Sequence, residues 1–123
     1  MARILVIDDE QSIADMIREA LTRYGDTVKT AISGTQGLQL WEDGVFDLVV
    51  TDMRMPDLTG GSIVRHVRRS NRPLTPVIGM SGTPWLLDKT GCDAVLPKPF
   101  RLNALIETVK RLKTNKPSLK RAS

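Results

Sequence analysis

The amino-acid sequence predicts an α/β domain in which five parallel strands alternate with helices. Two short apolar runs, residues 4–7 and 47–51, are typical of strands buried on both faces, and each is followed by an aspartate. Elsewhere the apolar spacing changes to that of helices, and the two patterns then alternate along the chain. Such alternation indicates a parallel sheet with helices on both faces and right-handed crossovers.

The five predicted strands are short runs rich in apolar and β-branched residues: 4–7, 27–32, 47–52, 75–81 and a segment within 92–98. The second strand has the mixed polarity that is typical of an edge. The fourth contains Pro76 near its start, where a strand tolerates a proline.

Four helices are predicted from helical apolar spacing, with expected ranges of about 12–24, 33–44, 61–70 and 101–114. The first has a capping-box-like start, Ser12-x-x-Asp15, and Gly25 closes it as a left-handed cap. The expected inward residues are Ile13, Met16, Ile17, Ala20 and Leu21; Leu38, Leu40 and Trp41; Ile63, Val64 and Val67; and Leu102, Leu105, Ile106, Val109 and Leu112. On the third helix Arg65, Arg68 and Arg69 are expected to point outward.

The composition fits one folded domain. Of the 123 residues, 41% are hydrophobic and 26% are charged, which is the balance of a globular rather than a disordered chain. The apolar start is too short for a signal peptide, and no apolar run approaches membrane-spanning length. The single cysteine, Cys92, excludes an internal disulfide. We therefore expect a cytoplasmic protein with no membrane association.

The net charge of +4 originates at the C-terminal end. Residues 101–123 contain seven basic residues and one acidic residue, whereas residues 1–100 contain eleven basic and thirteen acidic residues. The basic end has no aromatic residue and no DNA-reading motif, so a solvated helix face with a short tail at 115–123 is favoured over a nucleic-acid site. We expect no direct nucleic-acid binding.

Polar side chains stand at the carboxyl ends of four predicted strands: Asp8 and Asp9, Asp52, Ser81 and Lys98. Each alone has an ordinary structural explanation, but parallel strands share one carboxyl edge, where open α/β sheets bind ligands. Crowded carboxylates repel one another, so a cation is needed to hold them ionised, and oxygen ligands favour Mg²⁺. Beside that ion, Asp52 can attack phosphorus while Lys98 and Ser81 contact the phosphoryl oxygens.

These motifs resemble those of the receiver domains of bacterial two-component response regulators. The matching segments are residues 4–10, 52–60, 81–82 and 96–100, and the resemblance extends to about Lys113. It implies a receiver domain over residues 1–114, with a flavodoxin-like sheet in the order 2-1-3-4-5. It also implies that a histidine kinase or a histidine phosphotransfer protein phosphorylates Asp52.

The resemblance implies a specific set of Mg²⁺ ligands. Asp9 and Asp52 would bind the ion directly, the backbone carbonyl of Arg54 would be the third protein ligand, and Asp8 would act through water.

For the phosphoryl group, the resemblance implies contacts with Ser81 and Lys98 and a cis peptide bond before Pro99. Ser81 is also the implied switch position, together with an aromatic residue on the fifth strand. In this chain that second position is Val95, which has no ring to swing inward. The usual aromatic switch is therefore absent or replaced.

A second departure concerns the segment between the fourth and fifth strands. The interval from Ser81 to Lys98 is 17 positions, about one helical turn shorter than is usual in the family. We expect the fourth helix of the fold to be truncated. Packing against the sheet is favoured for Trp85, Leu86 and Leu87, and a partner-docking patch is the alternative.

The sequence predicts a phosphorylatable receiver that acts as a signalling switch in a two-component phosphorelay, either alone or as a module of a longer protein. Its only reactions would be its own phosphorylation from a phosphodonor and its own dephosphorylation, so it is not expected to be an enzyme with a separate substrate. We expect a monomer or a weak dimer, and the sequence does not identify the output partner.

Two alternatives have sequence features of their own. A degenerate receiver that docks independently of phosphorylation would explain Val95 and the short fourth helix. A phosphatase of the haloacid-dehalogenase type uses a similar set of residues, but it needs an Asp-x-Asp motif on the first strand and a cap segment. Here the first strand ends in Asp8-Asp9, and no cap segment is evident.

Overall fold

The structure is a computed structural model that describes residues 1–83 and 91–114. Its strands are β1 (Arg3–Ile7), β2 (Thr27–Ala31), β3 (Leu48–Asp52), β4 (Val77–Ser81) and β5 (Ala94–Pro97). The helices of this part of the chain are α1 (Gln11–Arg23), α2 (Gly34–Asp43), α3 (Gly60–Arg68) and α4 (Leu102–Thr114).

All five strands are parallel, and they lie in the order β2-β1-β3-β4-β5. This confirms the predicted fold class and strand order and places β2 at one edge. In the register of the central strands, Ile7 pairs with Thr51 and Asp52 pairs with Met80. The carboxyl ends of β1, β3 and β4 therefore meet at one edge of the sheet.

The core has two layers because successive strand residues point to opposite faces of the sheet. On one face, Ile17 of α1 and Leu105 and Val109 of α4 pack against the sheet. On the other, Trp41 of α2 packs with an apolar cluster from α3: Ile63, Val64 and Val67. All five residues of β3 are buried, as the sequence predicted for a strand covered on both faces.

The start of α1 differs from the prediction. The helix begins at Gln11 with Glu10 as its N-cap, and no side chain caps it, so Ser12 lies inside the first turn. Asp8 Oδ1 accepts the Glu10 N–H at 2.9 Å, and this turn precedes a helix whose N-cap lies two residues before Ser12. At the other end Gly25 has a φ of 89°, which confirms the left-handed cap.

Three residues lie differently from their predicted faces. Met16 is 41% exposed, because the inward position of that turn is taken by Ala14, and Leu102 is 36% exposed at the start of α4. Arg68 does not extend freely outward. Its guanidinium donates to Asp93 Oδ2 at 2.7 Å, and this ties the end of α3 to the approach to β5.

Some predictions fall outside the described residues. The truncated fourth helix and the packing of Trp85, Leu86 and Leu87 belong to residues 84–90, and the basic tail belongs to 115–123. Within the ranges that the structure describes, none of the helices combines the length and the apolar character needed to cross a membrane.

Candidate functional site at the carboxyl edge of the sheet

Three carboxylates meet at the carboxyl edge of the sheet. One oxygen from each of Asp8, Asp9 and Asp52 lies within 4.8 Å of the other two. Asp8 is fully buried and Asp52 is 7% exposed, whereas Asp9 is exposed. Buried carboxylates this close repel one another unless a cation lies among them.

Strand pairing brings the two buried carboxylates together. Since Ile7 and Thr51 are partners on β1 and β3, Asp8 and Asp52 follow one step later on adjacent strands. The Asp8 N–H donates to the Ala31 carbonyl at 3.0 Å, which extends the β1–β2 pairing by one residue. The two buried carboxylates are therefore held by the ends of buried strands, and Asp9 follows from the loop after β1.

Lys98 directly follows the carboxyl end of β5 and extends toward the cluster. Its N–H donates to the Ser81 carbonyl at 2.8 Å, and this continues the β4–β5 pairing past the last strand residue. The peptide bond between Lys98 and Pro99 is cis, as predicted.

The Lys98 ammonium bridges the two buried carboxylates. Nζ lies 3.0 Å from Asp8 Oδ2 and 3.3 Å from Asp52 Oδ2, and it is 3.8 Å from Glu10 Oε1 at the rim. Within residues 1–83 and 91–114, Asp8 and Asp52 pair with this one ammonium, and Asp9 adds a third carboxylate, so these residues carry a net negative charge. The oxygen-only donor set and this charge fit a divalent cation such as Mg²⁺.

The pKa values of the two central groups reflect this imbalance. Burial raises the pKa of the Asp52 carboxyl, and the charge of Asp8 adds to it, while Lys98 and the Arg54 N–H oppose the shift. Burial alone would lower the pKa of Lys98, but its hydrogen bonds and charge interactions with Asp8 and Asp52 outweigh this and raise it. Lys98 therefore stays charged. Ionisation of Asp52 costs free energy unless a further cation is near.

The structure places Arg54 beside the cluster, with its N–H 3.4 Å from Asp52 Oδ1. Ser81 ends β4 and is 3% exposed, and its Oγ accepts the Thr83 N–H at 3.0 Å. Val95 lies within β5, opposite Gly79, and is half-buried. The structure thus brings Asp8, Asp9, Asp52 and Lys98 together, with Arg54 at the rim, whereas Val95 lies apart from the cluster.

Sequence reasoning missed Asp57 in the loop that follows Asp52. Its carboxylate accepts hydrogen bonds from the first turn of α2, from the Gly34 N–H at 3.0 Å and the Thr35 N–H at 2.8 Å. The sequence shows only a turn-forming Pro56-Asp57 pair, which carries no signal that a distant helix is its partner.

Comparison with known proteins agrees with this geometry. The family model for the response regulator receiver domain matches residues 4–110. Among curated proteins, the chain is 35% identical over 126 residues to the transcriptional regulatory protein DltR of Streptococcus agalactiae, covering 98% of this chain and 55% of that protein. It is 38% identical over 103 residues to the uncharacterized transcriptional regulatory protein YrkP of Bacillus subtilis, covering 80% of this chain and 43% of YrkP. The chain thus spans about half the length of these relatives.

Solved structures show the same similarity. The chemotaxis response regulator CheY4 of Vibrio cholerae superposes with a TM-score of 0.84 at 30% identity, covering 91% of this chain and 98% of CheY4. The response regulator TrrA of Thermotoga maritima, solved in complex with Mg²⁺–BeF, superposes with a TM-score of 0.82 at 30% identity, covering 91% of this chain and 99% of TrrA. The chain therefore belongs to the response regulator receiver domain family, whose members act as switches in two-component signalling.

Proposed function

We propose that Asp52 is the phosphoacceptor of this receiver domain. The observation that carries the proposal is the cluster itself, in which Asp52 shares an edge with Asp8 and Asp9 and lies 3.3 Å from Lys98 Nζ. Phosphoryl transfer to a carboxylate needs a nucleophile, positive charge for the phosphoryl oxygens and a fixed geometry. Asp52 supplies the nucleophile, Lys98 supplies the positive charge, and the buried end of β3 fixes the geometry.

The transfer is a single displacement at phosphorus. A carboxylate oxygen of Asp52 forms the new O–P bond while the P–N bond of a phosphohistidine, or the P–O bond of acetyl phosphate, breaks. The leaving group keeps the electron pair of that bond, and a leaving imidazole takes up a proton. Lys98 shifts a hydrogen bond to a phosphoryl oxygen, and the Ser81 hydroxyl donates to another. Attack of water on phosphorus then breaks the P–O bond to Asp52, which releases inorganic phosphate and regenerates the Asp52 carboxylate.

The same residues fit Mg²⁺ as the cofactor. Asp9 and Asp52 are the proposed direct ligands, with the Arg54 carbonyl as the third and Asp8 acting through water. Support comes from the oxygen-only donor set and from the excess negative charge around Lys98. When bound, the ion supplies positive charge that offsets the charge of the phosphoryl oxygens.

A histidine kinase or a histidine phosphotransfer protein is the proposed phosphodonor. A largely apolar pocket of about 340 Å³ adjoins the cluster and is lined by Glu10, Ile13, Met16, Lys98, Pro99 and Phe100. The shared Lys98 makes this pocket continuous with the site, and Met16 is 41% exposed there. A donor helix that buries Met16 would bring its phosphohistidine to the mouth of the site.

This partner surface is tested with Met16→Asp and a matched control, Leu74→Asp, which alters another exposed apolar residue, one that does not line the pocket. Met16→Asp is expected to slow phosphotransfer from a phosphorylated donor protein and to leave the rate with acetyl phosphate unchanged. Equal slowing by Leu74→Asp, or slowing with both donors, would refute the assignment.

We propose that the switch acts on an output partner that reads its phosphorylation state. The curated relatives DltR and YrkP are transcriptional regulatory proteins, and the chain spans only 55% and 43% of them. We propose that this chain acts in the cytoplasm as a monomer or weak dimer and passes its phosphorylation state to an output partner, with no direct nucleic-acid contact of its own.

A second candidate function is phosphorylation-independent docking. It is favoured by Val95, which brings no ring to the switch position on β5. Equal affinity of a captured partner for the phosphorylated and unphosphorylated protein would support it. The phosphatase alternative lacks such support, since Asp52 lies on the third strand and the family match covers residues 4–110.

The phosphoacceptor is tested by intact-protein mass spectrometry after incubation with acetyl phosphate, with and without Mg²⁺. We expect one Mg²⁺-dependent phosphoryl adduct in the wild-type protein and none in Asp52→Asn. Asp43→Asn is the matched control, since it removes an exposed carboxylate at the end of α2 that is not part of the cluster. The absence of any adduct in the wild-type protein would overturn the proposal.

A further inference from the structure

The first turn of α2 is capped by two side chains, one of which comes from the loop that follows the phosphoacceptor. The Gln36 N–H donates to Ser33 Oγ at 3.0 Å, which is a local cap. The two preceding N–H groups, of Gly34 and Thr35, donate to the carboxylate of Asp57 at 3.0 and 2.8 Å. A loop 22 residues further along the chain thus completes the capping of this helix.

The contact of Asp57 with α2 is strongly polar. Besides the two N–H groups, the Thr35 hydroxyl donates to Asp57 Oδ2 at 2.7 Å. The hydroxyl of Thr35, followed by the N–H groups of Thr35 and Gly34, holds the pKa of the Asp57 carboxyl far below its usual range. Asp57 is therefore ionised at neutral pH and faces the positive end of the helix dipole.

Close packing reinforces this contact. A Cβ atom added to Gly34 would lie 2.6 Å from Leu58 Cβ, so Leu58 approaches the helix backbone to a distance that only glycine permits. At the other end of the loop, the Gly60 N–H donates to the Met53 carbonyl at 3.1 Å. A Cβ atom added to Gly60 would lie 2.7 Å from Met53 Cα. The loop between Asp52 and α3 is therefore fixed at both ends.

The fixed segment contains the backbone of Arg54, whose N–H points to Asp52 Oδ1. Asp57 itself is not one of the clustered carboxylates. The covalent link between Asp57 and the site is the loop itself. Arg54 lies on the segment between Asp52 and Asp57, and the contacts of Asp57 and Leu58 with α2 restrict the path of that segment.

We propose that Asp57 is a positioning residue for the Mg²⁺ site, because its tie to the first turn of α2 holds the Arg54 carbonyl in place for the ion. This inference rests on the proposed function, which makes that carbonyl a ligand. A residue that orients a metal ligand without touching the metal changes metal affinity while leaving the ligand set complete.

The test is Mg²⁺ binding measured by isothermal titration calorimetry, alongside urea unfolding of the same variants. Asp57→Ala is expected to weaken Mg²⁺ binding about tenfold, the lower end of the range for residues that orient ligands. Asp57→Asn retains one acceptor oxygen and is expected to restore part of that loss. Thr35→Val leaves the loop sequence intact, removes one donor to Asp57, and is expected to weaken binding less than Asp57→Ala does.

Ser33→Ala is the matched control, because it removes the local cap of the same helix and leaves the loop contact in place. It is expected to lower the urea midpoint, as Asp57→Ala does, without changing Mg²⁺ affinity. Equal weakening by Ser33→Ala, or unchanged affinity in Asp57→Ala and Thr35→Val, would overturn the inference. A wild-type protein that binds no Mg²⁺ would instead overturn the proposed function.

Discussion

Two buried aspartates at opposite ends of the sheet differ in how their charge is balanced. Asp26 precedes β2, and its side chain is 1% exposed. Its two carboxylate oxygens accept hydrogen bonds from Lys113 Nζ at 2.7 and 2.9 Å, and Oδ1 also accepts one from the Ala2 N–H at 3.1 Å. Asp52 ends β3, where it clusters with Asp8 and Asp9 and shares the Lys98 ammonium with Asp8.

The difference distinguishes a structural ion pair from the candidate functional site. At the amino edge one carboxylate meets one ammonium, and the pair joins the end of α4 to the chain before β2. At the carboxyl edge, the three clustered carboxylates outnumber the one ammonium that pairs with them in the described part of the chain, which leaves a surplus of negative charge. A buried surplus of this kind costs stability, and it is retained where a cation or a reaction uses it.

The largest effect is expected from removing the lysine at each edge. Lys98→Met leaves Asp8 and Asp52 without their ammonium, and Lys113→Met leaves Asp26 without its own, so each variant should lose about 3 kcal/mol of unfolding free energy. Mg²⁺ should restore much of the loss in Lys98→Met and none in Lys113→Met. Urea unfolding with and without Mg²⁺ measures this, and equal recovery in both variants would erase the proposed difference between the edges.

An intermediate effect is expected from substituting two glycines. Gly34 packs against the loop that follows Asp52, whereas Gly25 lies in the turn after α1. Gly34→Ala brings a methyl group against Leu58, whereas Gly25→Ala meets open space but has a φ of 89°. Each substitution is expected to cost about 1 kcal/mol. Only Gly34→Ala should also weaken Mg²⁺ binding, which calorimetry detects. Weakening by Gly25→Ala as well would show that general loss of stability, rather than loop position, governs the site.

The smallest effect is a pH dependence at Asp57. Because folding lowers the pKa of this carboxyl below its ordinary value of 3.8, its contribution to stability is fully present above that pH and is lost as the pH falls below it. The difference in unfolding free energy between the wild-type protein and Asp57→Asn should therefore stay constant above about pH 5 and shrink as the pH falls from there to about pH 2. A difference that stays constant would contradict the charged contact with α2.

The sequence predicted the fold and the cluster because both depend on local patterns. Apolar runs that end in Asp8 and Asp52 define strand ends, and parallel pairing then brings those ends together. The contacts of Asp57 and Arg68 were not predicted, because each depends on a partner from a distant element that leaves no periodic signal. The start of α1 was predicted wrongly for a related reason. Asp8 forms a turn with the Glu10 N–H, and the helix follows it directly, before Ser12 could act as its cap.

The most direct test of the charge surplus compares Asp52→Asn with Asp26→Asn by urea unfolding in the absence and presence of Mg²⁺. Asp52→Asn relieves repulsion and is expected to raise the unfolding free energy without Mg²⁺ by about 1 kcal/mol, whereas Asp26→Asn breaks a matched pair and should lower it by about 3 kcal/mol. Added Mg²⁺ should stabilise the wild-type protein and Asp26→Asn but have little effect on Asp52→Asn. Destabilisation by Asp52→Asn, with an undiminished response to Mg²⁺, would contradict the account.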